Sequence, residues 1–475
     1  MKKKEEEKPQ RTKEFIEKFS NEAKEILKNS KLFEDLVAEL DKEIVGEIEA
    51  RKVLILCAYG GRLVENCQTA SFNILVNDVS GVGKDYLSSK CLQLLPPQNF
   101  IKKTRISGTV LNYWHNAEEE PWWTWNGKVL YLEDISESIL NHDVFKVMCS
   151  SGSSASIVID KKVVDLEIIG KPVIIVTTAT ATPTPELVRR FVILNLDSSK
   201  NQTFEIMKRH SEFRKKGIIP EINKKIRNAM QFLNPVKVKI KFAESIYPHF
   251  PIKNIIMRTH YPRFLDFISA STGLHQFQRT QDEEGFYLAT GQDYDIAREC
   301  FLKLCSNRYM IPLTINQKKI LQIFEDSPLI EGTVAHFNST SMNFMSDRAL
   351  SYNLSLLSQY GILETAEKIN PQNKTVTIYR LCDSYKPNQK ITIPTYEELC
   401  RIASLPSDTN IPTTTSLSSI PNKKDKKDLF LEVAKVPKRE VGVSTCNISV
   451  KEPTEKEIKE ILEDFEQLNP EVKKI

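Results

Sequence analysis

Four short apolar runs punctuate the first 200 residues: Ile74-Leu75-Val76, Val129-Leu130-Tyr131-Leu132, Val173-Ile174-Ile175-Val176 and Val192 to Leu196. Runs without alternation suit parallel strands that are covered on both faces. Around them, apolar residues recur at helical spacing. Phe15, Phe19, Ile26, Leu27, Leu32, Leu36 and Leu40 predict a helical segment over 13–43, and residues 201–310 alternate apolar and charged positions in the same way. Residues 156–159 and 163–169 are β-rich and joined by Asp160-Lys161-Lys162, which predicts a hairpin. The pattern describes an α/β core over 44–200 flanked by helices.

A different pattern occupies residues 312–382. Thr314 caps an amphipathic helix running to Phe324, and Ser346 opens another with Leu350, Leu354 and Leu357 on one stripe. Gly361 ends that helix, and Ile362-Leu363-Glu364 can pair with Thr375 to Leu381. Helices followed by a β-ribbon predict an α+β winged helix-turn-helix, in which the second helix enters the major groove and the ribbon touches the backbone. Arg348, Asn353 and Lys374 are the candidate duplex contacts; with so few basic residues, protein docking is the competing role. Residues 1–12 are charged and expected to be disordered, and 383–453 predicts a largely disordered linker, Ser/Thr/Pro-rich over 406–421 and charged over 422–427. Residues 454–468, with Thr454, Glu457, Ile458, Ile461, Leu462 and Phe465, predict a short amphipathic helix suited to docking a partner.

Chemistry concentrates where the first apolar run ends. Phe72 to Lys90 reads FNILVNDVSGVGKDYLSSK. Ser80, Gly81, Val82 and Gly83 form a small-residue loop before Lys84 and a helix. Such a loop lets backbone N–H groups converge on phosphates, with the lysine reaching the terminal ones. Against G-x-x-x-x-G-K-[ST], Asp78 replaces the first glycine and Asp85 the magnesium-binding hydroxyl. The second run ends in Glu133-Asp134, at the strand end where α/β sheets bind ligands. Asp85 and Glu133 are candidate Mg²⁺ ligands, and Asp134 or Glu133 would orient an attacking water. Thr177 and Thr178 end the third run and suit a γ-phosphate or its water. Taken singly, each stretch also admits a bland role: a tight strand–helix turn, an acidic helix cap, a solvated arginine face. Their order and spacing favour ATP with Mg²⁺.

With Glu186-Leu-Val-Arg-Arg-Phe191 before the last strand, the chain resembles the AAA+ P-loop ATPases, whose arginine next to Phe serves a neighbouring subunit's nucleotide. The resemblance gives that role to Arg189 or Arg190, and implies a three-layer core with a helical lid over 201–311. In the lid, Arg258 or Arg263 would report nucleotide state. The hairpin before the Thr-Thr strand is similar to that of the MCM-like and superfamily-III helicase branch, where it grips DNA in a central pore; Lys161 and Lys162 fall at its tip. Residues 40–310 resemble the primase-associated helicase-like proteins of plasmids, phages and other mobile elements. The stretches carrying this are Ile44-Val45-Gly46-Glu47, Gly83-Lys84-Asp85-Tyr86-Leu87, Arg279-x-x-Asp282-x-x-Gly285 and Asp293-Tyr294. The resemblance implies a DNA helicase working as a homo-oligomeric ring, hexameric in that branch, with a primase or other replication protein as partner. An ATP-gated DNA-binding initiator or regulator, and a nucleotide-binding scaffold with little hydrolysis, are the alternatives.

Composition adds limits rather than direction. Among 475 residues there are nine cysteines and seven histidines, with no C-x-x-C pair, so reduced thiols are expected and zinc is not. The net charge of +4 is too small to argue for DNA, which must bind through local patches. No apolar run approaches the roughly 18 residues of a membrane helix. The MKKKEEEKPQ start lacks a signal-peptide core, so no membrane partner and a cytoplasmic location are expected. All four tryptophans lie within Tyr113 to Trp125, beside Glu118 to Glu120, and are expected to serve packing or a subunit interface.

Overall fold

The computed structural model describes residues 21–403 except 68–69, 79, 109, 113–122, 160–161, 169, 179–188, 252–256, 307–312, 370–374 and 383–391. The expectations for 1–12 and for the 454–468 helix lie outside the described residues, as do Trp114, Trp122 and most of 383–453. The described part of that expected linker is corrected: Tyr396–Ala403 is a helix, and Ile393 and Leu399 bury their side chains in the first core.

The apolar runs are strands of one parallel sheet. Its members are β1 (Ile74–Asn77), β2 (Phe100–Lys103), β3 (Val129–Leu132), β6 (Val173–Thr178) and β7 (Val192–Leu194); β4 (Ser153–Ile159) and β5 (Lys162–Ile168) form a separate antiparallel hairpin. The sheet order is β2-β3-β6-β1-β7, all neighbours parallel. Thus β6 lies between the strand that leads to the glycine loop and the strand that ends in acids. Successive residues of each strand enter opposite cores. Ile74, Val76, Val129, Tyr131, Val173 and Ile175 join one cluster, and Leu75, Leu130, Leu132, Ile174 and Val176 the other. This two-sided burial explains why the runs show no alternation.

The first core is covered by helices Ile48–Ile55, Met257–Leu274 and Gly291–Ser306. Here the expectation of a lid over 201–311 is corrected: Phe264, Phe267, Tyr294 and Phe301 are buried against the core, so these two helices are a structural layer. Gly60, in the turns that continue from the Ile48–Ile55 helix, lets the Met257–Leu274 helix pack close, since a Cβ there would stand 2.3 Å from the Ala270 carbonyl oxygen. The Lys200–Lys216 helix differs, with no buried residue and Phe204 and Met207 exposed. The Arg279 and Asp293 stretches are structural. Arg279 holds Asp293 bidentately (Nε to Oδ2 2.7 Å, a terminal nitrogen to Oδ1 2.8 Å), and Ser271 Oγ donates to it at 2.7 Å. Leu27, Leu32, Leu36 and Leu40 of the expected amino-terminal helical segment also enter this core.

The second core contains Trp125, helix Asp143–Ser151 and the apolar stripes of the carboxy-terminal module. That module runs helix Ile315–Asp326, β10 (Glu331–Gly332), helix Val334–Thr340, helix Asp347–Gln359, β11 (Leu363–Ile369) and β12 (Thr375–Leu381). A parallel pair, β8 (Val238–Lys239) and β9 (Tyr287–Leu288), precedes it. Thr314 closes a capping box and Ser346 caps its helix, as the sequence predicts. Gly361 takes φ +72°, and β11 and β12 pair over seven residues in the order β10-β12-β11. Among the described residues no helix is long and apolar enough to cross a membrane, and the described cysteines form no disulfide.

Candidate nucleotide site

The loop after β1 owes its shape to two glycines. Gly81 and Gly83 have φ of +87° and +95°, and a Cβ on either would meet nothing within 4 Å. The requirement is conformational, not steric: the left-handed backbone lets the chain double back into helix Lys84–Leu92. Lys84 opens that helix, is buried, and donates from Nζ to the Asp78 carbonyl oxygen at 2.9 Å. The Asp78 carboxylate accepts the Leu196 N–H at 3.0 Å, and Asn195 donates to the Asn77 carbonyl oxygen at 3.0 Å. The loop is therefore tied to the chain leaving β7.

Parallel register brings the acids to the same sheet edge. The Thr177 hydroxyl donates to Asp85 Oδ1 and accepts the Asp134 N–H at 2.9 Å, while the Thr177 carbonyl oxygen accepts the Ile135 N–H at 2.9 Å. Asp134 has φ +49°, a left-handed conformation that costs energy in a non-glycine residue and clusters at functional sites. The Tyr131 hydroxyl stands 3.5 Å from Asp85 Oδ1. Burial raises its pKa, and the Asp85 and Glu133 charges push the same way. Glu133 accepts from Lys102 Nζ at 3.0 Å; Lys102 also donates to Ser89 Oγ at 3.1 Å and lies over the Tyr131 ring. Thr178 is fully buried, and it is Thr177 that bridges loop helix and acids.

The Ile44–Glu47 stretch lies beside this edge. Glu47 accepts the Asp197 N–H at 2.8 Å, and Gln202 donates to the Val45 carbonyl oxygen at 2.7 Å. Burial and the Asp197 and Asp78 charges raise the Glu47 carboxyl. Among the described residues no three acidic, His or Cys side chains converge to hold an ion. Mg²⁺ commonly binds through one or two carboxylates plus substrate phosphates, and Asp85 and Glu133 are the carboxylates at this edge that could hold it.

The arginines occupy the opposite edge. Arg189 and Arg190 precede β7, whose register with β1 (Ile74↔Val192) sets them at the strand starts, away from the loop that follows Asn77. Asn73 accepts the Ile174 N–H and donates to the Cys149 and Arg190 carbonyl oxygens. Arg190 donates to the Lys146 carbonyl oxygen, whereas the Arg189 side chain is exposed. Arg263 is corrected as a contact to its own subunit's nucleotide: it is buried on this far edge, donating to the Arg189 carbonyl oxygen at 2.8 Å. Desolvation lowers the Arg263 pKa to about 10. Burial, with Arg263 alongside, pushes His260 down to about 3. Arg258 is exposed at the start of the same helix.

Of the candidate DNA contacts, Lys161 and Lys374 lie outside the described residues. The last pair of the hairpin register is Ile159↔Lys162, so Lys162 starts β5. Arg348 is exposed near the start of its helix, sharing the outer face with Ser351 and Tyr352. Asn353 is half-buried, and its amide donates to the Ala349 carbonyl oxygen at 2.8 Å. Sequence reasoning missed Lys102, because β2 is a four-residue, half-exposed strand with no apolar run to announce it.

A family model described as MTBMA_p00010 P-loop domain matches residues 17–232, which span the helical lead-in, the whole parallel sheet and the exposed Lys200–Lys216 helix. No curated protein matches the chain. The match agrees with the α/β architecture of residues 17–232, a five-stranded parallel sheet with the glycine loop after β1.

Proposed function

We propose that this chain hydrolyses ATP between neighbouring copies of itself and uses the turnover to move along DNA, as a helicase in the replication of a mobile element. One observation carries the reading: Lys84, Asp85, Glu133 and Asp134 stand at one edge of the sheet and the exposed Arg189 at the other. An arginine there cannot meet its own subunit's phosphates. In a ring it would reach a neighbour's and neutralise charge on the transferred phosphoryl group. Within one subunit the loop N–H groups and Lys84 would bind the phosphates, Lys84 leaving the Asp78 carbonyl oxygen to do so. Glu133 or Asp134 would orient the water and take its proton, with Thr178 at the same strand end. Mg²⁺ on Asp85 and Glu133 would neutralise phosphate charge.

The strand order, with β6 between β1 and β3, supports the AAA+ reading. The β4–β5 hairpin entering just before β6 supports the MCM-like branch, and Lys161 and Lys162 would grip one strand. The carboxy-terminal helices and ribbon support a winged helix, although two ribbon cations are already paired, Lys368 with Glu331 and Arg380 with Glu364. The exposed Arg348, Ser351 and Tyr352 face favours a second reading, an ATP-gated initiator that binds duplex without unwinding it. Strand displacement on a forked duplex, with and without ATP, separates the two. ATP-dependent displacement supports the helicase, and ATP-dependent duplex binding alone supports the initiator. ATP binding without turnover would reduce the chain to a nucleotide-binding scaffold.

A further inference from the structure

The P-loop consensus puts a hydroxyl after the lysine to hold magnesium; this chain puts a carboxylate there. A carboxylate beside a polyphosphate is repelled unless a cation stands between them; a donor on one oxygen favours the charged form and leaves the other oxygen for that cation. The geometry points to Thr177 as the positioning residue that makes Asp85 serviceable as a metal ligand, an inference that rests on the nucleotide-binding reading above.

The polarity of the hydrogen bonds decides the direction. A threonine hydroxyl has one proton and can accept as well. Thr177 Oγ accepts the Asp134 N–H at 2.9 Å, so its own proton goes to Asp85 Oδ1. Among the described residues Asp85 Oδ2 accepts no hydrogen bond, which leaves one oxygen for a cation. Thr177 cannot reorient easily: it is fully buried and held in β6 opposite Val76. It also fixes the acidic strand end, because consecutive amides, those of Asp134 and Ile135, donate to its side chain and its carbonyl oxygen. The consensus hydroxyl on the loop helix is thus moved to the adjacent strand, and the loop helix carries the carboxylate instead. One substitution at position 85 is matched by one side chain at position 177.

The test uses Mn²⁺ as the probe, with ADP so that turnover is not needed, and reads free Mn²⁺ by electron paramagnetic resonance on the full chain. Thr177→Val should weaken Mn²⁺ binding in the ADP complex by about tenfold, the usual cost of losing a group that orients a metal ligand. Thr177→Ser should bind near the wild-type value, and Asp85→Asn should lose affinity through the other partner. In an Asp85→Thr background, Thr177→Val should have no further effect, because there is no carboxylate to orient. Wild-type Mn²⁺ affinity in Thr177→Val, or an equal loss in the Asp85→Thr background, would overturn the inference, since Thr177 would then only shape the acidic turn. A wild-type chain that binds no ADP would overturn the nucleotide reading and this inference with it. Normal ADP binding with no Thr177 effect overturns the inference alone.

Discussion

Lys102 at the end of β2 donates to the Glu133 carboxylate across 3.0 Å, from the strand next to the one that delivers Glu133. The acid that would orient water or hold magnesium is thus already paired with a cation. Both side chains are partly exposed, 38% for Lys102 and 23% for Glu133, so the pair is a light restraint. Exposed pairs contribute about 1 kcal/mol or less.

Replacing Lys102 with methionine should therefore release Glu133 at little structural cost. Basal ATP hydrolysis should rise by up to roughly fivefold, the rate equivalent of about 1 kcal/mol, with the melting temperature nearly unchanged. A fall in rate would mean that Lys102 itself contributes to turnover.

The Arg279–Asp293 pair should matter to stability and not to nucleotide binding. Asp293 is fully buried. Burial alone would raise its carboxyl, but the Arg279 hydrogen bonds and charge outweigh that and hold it below the usual range. Asp293→Asn leaves a buried guanidinium without its counter-charge and should destabilise by about 3–5 kcal/mol, measured by denaturant unfolding, with ADP affinity retained below the transition. The folded-state pKa is depressed, so this contribution is complete above the ordinary carboxylate range. The gap between wild type and variant should stay constant from neutral pH down to about 4 and close only as pH falls further.

The hairpin makes a separable prediction. Replacing Lys161 and Lys162 with alanine should leave basal ATPase nearly intact and remove its stimulation by single-stranded DNA. The salt dependence of DNA binding should flatten by roughly two phosphate contacts. Unimpaired translocation by the double variant would rule out the hairpin as the gripping element.

The glycine loop, the apolar strands and the helix caps were legible in the sequence because each is a local property. Gly81 and Gly83 supply a backbone region few residues enter, and Ser346 and Thr314 satisfy amides three residues on. What escaped reading was long-range. The β2 strand has no apolar run, so Lys102 could not be set beside Glu133. Asp78 reads as a departure from consensus, but its bond to the Leu196 N–H crosses 118 residues. By resemblance, Arg263 of the Met257–Leu274 helix, like Arg258, belongs to a lid. Packing carried it to the far edge instead, because Phe264 and Phe267 on the same helix belong to the core. Thr177 was visible as a polar strand end, but its partners Asp85 and Asp134 become neighbours only once β6 inserts between β1 and β3.

The central claim is that one ATP site is assembled from two copies, and mixing tests it. Arg189→Ala should lack the exposed arginine but keep Lys84, Glu133 and Asp134; Glu133→Gln should lack the acid but keep Arg189. Each alone should be nearly inactive. Mixed in equal amounts, with assembly confirmed by sedimentation, they should recover part of the wild-type ATPase rate, because some interfaces then join an intact arginine to an intact acid. No recovery from co-assembled variants, or an Arg189→Ala variant as active as wild type, would contradict a shared site.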